Sequence, residues 1–135
     1  MGCDIHVHVE IWLEGEWRHY SAPRVERDYL LFSYMADVRN SYGVTPIAQP
    51  RGLPASASAV TRYESAAWDC DGHSHSWLAF DEMQGLECLL KARGHPFQLS
   101  RAFGPILNPD EFDDEEGIYY DLTPRDVRVV FWFDN

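Results

Sequence analysis

The sequence is short of cysteine. Its three cysteines, at positions 3, 70 and 88, are odd in number and have no tight spacing, which argues against a disulfide framework and leaves reduced thiols or metal ligands. Long apolar runs are missing too. None approaches the roughly 20 residues that span a bilayer, and the opening residues form neither a signal segment nor a transit peptide. The expectation is a soluble, cytoplasmic chain with no membrane partner. Positive charge is scarce: 11 Lys and Arg stand against 22 Asp and Glu, a formal net charge of −11. Such a surface repels the phosphates of duplex nucleic acid, so general nucleic-acid binding is excluded. Arg24, Arg27, Arg39, Arg51 and Arg62 nevertheless fall in the first half of the chain. They read either as a local basic pocket for a small phosphorylated ligand or as scattered surface arginines. At 135 residues the chain is expected to form a single domain, 1–135, with one core.

What is present is a repeat. Cys3-Asp4-Ile5-His6-Val7-His8 and Cys70-Asp71-Gly72-His73-Ser74-His75 share the pattern Cys-Asp-x-His-x-His and hold four of the six histidines. Imidazole, thiolate and carboxylate are the side chains that bind transition metals, and His-x-His lets one extended segment grip one ion. The alternative is that the repeat is coincidental and that the second copy caps or positions the helix after it.

From Cys3 to Trp12 apolar and polar residues alternate, so Ile5, Val7, Val9 and Ile11 share one face of a strand and Asp4, His6, His8 and Glu10 the other. Neighbours on a face are about 7 Å apart, close enough for two imidazoles to converge on one ion. Gly15 marks a turn, and Glu16 to Ser21 completes a hairpin. Asp28 is placed to cap an amphipathic helix over 29 to about 40, closed by Gly43. Prolines at 46, 50 and 54 exclude regular structure there, and Pro50-Arg51-Gly52 suits a tight turn that presents Arg51. Residues 57 to 67 read as a short helix. Gly72 is expected to break any strand, leaving His73 and His75 on a loop or short extended segment.

Asp81 is expected to cap a second long helix with Met83, Leu86, Leu89 and Leu90 on its buried stripe, stopped by Gly94 and Pro96. The acidic run Asp110 to Glu116 reads as a solvated loop, a cation-binding role being the minor alternative because it lacks the spacing of a calcium loop. Val127 to Phe133 is β-branched and aromatic and should pair with the first strand. The fold class is therefore α+β, a small, mainly antiparallel sheet made of the N-terminal hairpin and the C-terminal strand, packed against two or three helices.

Alternation points Cys3 away from the histidines and into the core. The expected metal set is then Asp4, His6, His8, Asp71, His73 and His75, the two aspartates acting as ligands or orienting the imidazoles. This mixture suits zinc, manganese, iron or nickel and leaves room for water. A metal-bound water with its pKa lowered toward 7 would be a nucleophile for hydrolysis, with Glu10 or His19 moving the proton and Arg39 and Arg51 holding phosphate oxygens. Glu10 reads equally as a solvent-facing strand residue and His19 as an edge residue. Two functions follow: a metal-dependent hydrolase of a small phosphorylated or nucleotide-like molecule, or a non-catalytic binding protein whose histidine clusters are structural. A structural or assembly role is a third option.

The residues around the first pair resemble the opening of PHP-type phosphoesterases and amidohydrolases, where a strand carries His-x-His. Those barrels need roughly 200 residues or more, so the likeness is one of local ligand geometry. A wider resemblance spans about residues 1 to 90. Met1-Gly2-Cys3-Asp4-Ile5-His6, Arg27-Asp28-Tyr29 with Leu31-Phe32, Pro50-Arg51-Gly52-Leu53-Pro54 and Asp71-Gly72-His73-Ser74-His75-Ser76-Trp77-Leu78 resemble a family of small uncharacterised proteins encoded by bacteriophages and prophages. The resemblance implies a phage or bacterial origin and a site assembled from the opening strand, the proline-rich loop and the His-Ser-His segment. For the binding reading it suggests an accessory factor that sequesters a small host signal or masks a host protein.

Overall fold

The computed structural model describes residues 2–112 and 122–135. Alternating side chains build strand β1 (Asp4–Leu13), which turns through Glu14 and Gly15 into β2 (Glu16–Ser21). Helix α1 (Tyr29–Ala36) starts where the Asp28 carboxylate accepts the Leu31 N–H at 3.1 Å. It ends earlier than the apolar spacing suggests, because Asp37 adopts a left-handed conformation (φ 60°) that turns the chain well before Gly43. Ser58 caps α2 (Ala59–Trp68), and a short 3-10 turn leads into β3 (Gly72–Ala79).

Gly72 therefore opens a strand that it was expected to break; its φ of −83° and ψ of 137° are ordinary extended values. Helix α3 (Phe80–Ala92) follows directly. Its cap is not Asp81: the Ala79 N–H is taken by Glu82 Oε1 at 3.0 Å, and Asp81 lies in the first turn. Met83, Leu86 and Leu90 are buried, whereas Leu89 is 41% exposed. Helix α4 (Leu99–Phe103) and short 3-10 turns precede β4 (Val127–Asp134). Of the acidic run, residues 110 to 112 belong to a 3-10 turn, and 113 to 116 lie outside the described residues.

The strands form one antiparallel sheet in the order β2-β1-β4-β3. On its inner face Ile5, Val7, Val9, Leu78, Val129, Phe131 and Phe133 meet Leu31, Phe32 and Met35 of α1 and Met83, Leu86 and Leu90 of α3. Burying side chains of this kind contributes about 1.5–3 kcal/mol each. Cys3 is fully buried among them.

The outer face is covered as well. Arg128, Val130 and Trp132 of β4 are buried, as are His8 and Glu10 of β1. Helix α2 lies over this face through Thr61 and Trp68. A charge in that layer must be matched, and Arg128 is: its Nε and Nη2 donate to Glu10 Oε1 at 2.9 and 2.7 Å, and its guanidinium lies 4.1 Å from the Trp17 ring centroid. Among the described residues no helix is long and apolar enough to cross a membrane.

Candidate functional site

The outward row of β1 supplies the chemistry. His6 Nε2 stands 2.5 Å from Asp134 Oδ2, a contact made by the β1–β4 ladder, in which Asp4 faces Asp134 and His6 faces Trp132. His8 Nδ1 stands 2.9 Å from His19 Nε2. The β1–β2 register shifts between Val9, opposite Ser21, and Glu10, opposite His19. That irregularity brings His19 beside His8.

Trp132 is the hub of the layer. The rings of His6, His8 and His75 stack on it at centroid distances of 5.8, 5.2 and 5.7 Å. Trp68 covers His6 at 4.3 Å. Buried Trp132 Nε1 has no hydrogen-bond partner among the described residues.

The second hexapeptide behaves differently. The β3–β4 register passes from His73 opposite Phe133 to Ser76 opposite Phe131, so Ser74 and His75 together face Trp132. Ser74 takes a left-handed φ of 55° to make this bulge. A regular strand would put His73 and His75 on one face. Here His75 joins Trp132, while His73 stacks on Phe133 at 6.2 Å and contacts Ser74 Oγ and Asn135 Oδ1 at 3.0 and 3.3 Å. Asp71 is exposed in the turn before β3. Asp4 is engaged by Arg27 Nε at 3.0 Å. Among the described residues no three His, Cys, Asp or Glu side chains are arranged to hold one metal ion. Asp4, His6, His8, Asp71, His73 and His75 thus do not gather in a single site.

The other site candidates are placed as follows. Glu10 is fully buried and fully used: beyond Arg128, its Oε2 accepts the Ser58 N–H and the Thr61 hydroxyl, each at 2.8 Å. Burial pushes its carboxyl up, and the bonds from Ser58, Thr61 and Arg128 outweigh burial and hold it below the usual range. It is a structural anchor of α2, with no face toward solvent. Arg51 is likewise committed, its two terminal nitrogens bonding the Glu82 carboxylate at 2.8 and 2.6 Å while the guanidinium lies over Trp77 at 4.5 Å. Arg39 bonds Asn135 and lies over Tyr29. The proline-rich loop is pinned to β3 by the Gly52 N–H on His75 O and the Arg51 N–H on Ser76 Oγ.

An open groove of about 760 Å³ runs along the outward row. Asp4, His6 and His8 line it from β1, Arg24, Glu26 and Arg27 from the segment after β2, and Glu64 from α2. Arg24 makes no hydrogen bond or ion pair with a described residue. Burial, and then the neighbouring His19, push His8 below its ordinary value; burial and His73 do the same to His75. Both rings are therefore neutral at pH 7, the form that donates a lone pair. No family model, curated protein or solved structure matches the chain.

Sequence reasoning misses Asp134, Trp132 and Glu64; of the five arginines it reads as a possible basic pocket, Arg24 and Arg27 line the groove. A signal for the first two was present: once β4 pairs with β1 antiparallel, its polar terminal residue falls beside the histidine row. Nothing local marks Glu64, which reaches the groove from a helix distant in sequence.

Proposed function

We propose that the chain is a hydrolase of a small phosphorylated or nucleotide-like molecule and that the groove along β1 is its reaction site. One observation carries the reading: the His6 imidazole lining the groove is bonded through Nε2 to the Asp134 carboxylate. A carboxylate on one ring nitrogen fixes the tautomer and leaves Nδ1 as the base. In that role His6 takes a proton from the water that attacks phosphorus and returns it to the departing oxygen. Arg24 on the groove wall supplies a guanidinium for the phosphate oxygens. Asp134 is a positioning residue.

The test is release of product from aryl phosphate monoesters, diesters and nucleotides. General base catalysis is worth about 10²–10⁴-fold, so His6→Gln should lose at least two orders of magnitude, and a wild-type protein inert toward the whole panel sinks the reading.

A second reading, a non-catalytic binding protein, is favoured by the commitment of Glu10 and Arg51 to internal ion pairs. In it the groove holds a ligand without turning it over. With the resemblance to phage-encoded proteins, this makes the chain an accessory factor of the host cytoplasm that sequesters a small signal or masks a host protein. Nucleotide binding by equilibrium dialysis without product formation separates the two readings.

A further inference from the structure

We propose that the cavity between the segment after β2 and helix α4 binds a small organic anion, a phosphate or phosphonate carrying a flat apolar body. The cavity is separate from the groove along β1 and does not rest on the hydrolytic reading of that groove, because a ligand held here need not be turned over.

The cavity has a volume of about 510 Å³, within the range of about 300–1,000 Å³ usual for small-molecule sites. Arg24, Glu26, Arg27 and Asp28 line one side of it, and His95, Gln98 and Arg101 the other. The two sides are tied together. His95 Nε2 meets Asp28 Oδ2 at 2.7 Å, and below them Leu31 and Phe97 belong to the same buried core. The walls are therefore set before a ligand arrives, and binding has little to reorganise.

The charge balance here departs from that of the whole chain. Acids outnumber bases 22 to 11 along the sequence, yet three arginines and two carboxylates line this cavity. Asp28 is fully engaged: Oδ1 accepts the Leu31 N–H at 3.1 Å and Oδ2 meets His95. Arg27 is taken up by Asp4. Arg24 and Arg101 make no hydrogen bond or ion pair with a described residue, and Glu26 is the single carboxylate set against them. Two uncommitted guanidiniums suit the oxygens of a phosphate group, which they bond in pairs. Val25, Pro96, Phe97 and Ala102 add apolar lining. An inorganic ion leaves that lining in water, whereas an aromatic ring covers it, so the cavity selects an organic anion.

The experiment is titration of the whole chain with phenylphosphonate, followed by amide proton–nitrogen NMR, with inorganic phosphate alongside. The carbon–phosphorus bond of the probe survives any hydrolase, so binding is read whether or not the protein has activity. Saturable shifts are expected at the amides of Gln98, Arg101 and Ala102. Losing a charge-assisted bond should weaken binding about tenfold in Arg101→Gln. Glu26→Gln should strengthen it several-fold, and His6→Gln in the groove should leave it unchanged. Arg24 lines the groove as well and is kept intact. Arg101 is exposed; if its variant nevertheless fails to fold by circular dichroism, Gln98→Glu, which sets a carboxylate on the same wall, should weaken binding by a similar factor and decides the matter. The proposal is overturned by no saturable shift, by shifts confined to Asp4–His8, by unchanged affinity in the folded variant, or by inorganic phosphate binding as tightly as phenylphosphonate.

Discussion

Cys3–His8 and Cys70–His75 share residue types, order and spacing, and the fold uses them in opposite ways. The first lies in a regular stretch of an interior strand, so both histidines face outward and each finds a polar partner, Asp134 for His6 and His19 for His8. The second opens the outer strand β3, where a bulge at Ser74 sends His73 toward Phe133 and His75 toward Trp132. Identical spacing therefore yields a shared face in one place and a split pair in the other. Spacing becomes geometry only where the backbone keeps its period, and one left-handed residue cancels it.

The largest expected effect is on the strand of the first copy. Glu10→Ala strands Arg128 without a counter-ion in a buried layer, and urea denaturation should show a loss of about 3–5 kcal/mol. Glu10→Leu combined with Arg128→Met should recover much of it; no recovery would mean that Glu10 acts chiefly through Ser58 and Thr61.

The central residues of the two His-x-His units give the sharpest contrast. Val7 is 3% exposed in the core, so Val7→Gly should cost about 3 kcal/mol through lost burial and added backbone entropy. Ser74 holds a φ of 55°, so Ser74→Gly should raise stability by about 0.5 kcal/mol, the relief of a left-handed residue exceeding the entropy of the new glycine. Both are read from chemical denaturation. Equal losses would place Ser74 in an ordinary strand conformation and remove the bulge.

Acid should weaken the first copy more than the second. His8 and His75 are held below their ordinary 6.5 in the folded protein, so the unfolded chain takes up protons first as pH falls. Their contribution is intact above about 6.5 and declines below it; the depressed Glu10 and Glu82 carboxyls add a further loss nearer the acid range. Melting temperatures between pH 8 and 5 should flatten more in His8→Asn than in His75→Asn. The reverse order would make His75 the more buried titrating group.

The smallest effect is expected at the aspartates. Asp71 is exposed and the Asp4–Arg27 pair faces solvent, so Asp4→Asn and Asp71→Asn should both leave the denaturation midpoint close to wild type. A marked shift for Asp4 alone would give that ion pair a structural role.

Much of the architecture was legible. The alternation in β1 assigned Ile5, Val7 and Val9 to the core, Asp28 marked the start of α1, and the aromatic C-terminal segment paired with β1 as expected. The site was legible only in part. His6 and His8 do share a face and a groove, but the partners that define their chemistry were not visible, and Glu10 and Arg51, which read as free functional groups, are tied to Arg128 and Glu82.

The division has a physical reason. Side-chain direction along a strand or helix is a local property, so composition and period by themselves determined the antiparallel α+β plan, the inward-facing residues and the histidine row. Register and ion pairing join residues far apart in the chain, 128 positions in the case of His6 and Asp134 and 118 in the case of Glu10 and Arg128. No local pattern carries that information. Only the packed sheet decided that the outer face is closed over by α2, that the second His-x-His divides, and that His8 meets His19 instead of His73 or His75.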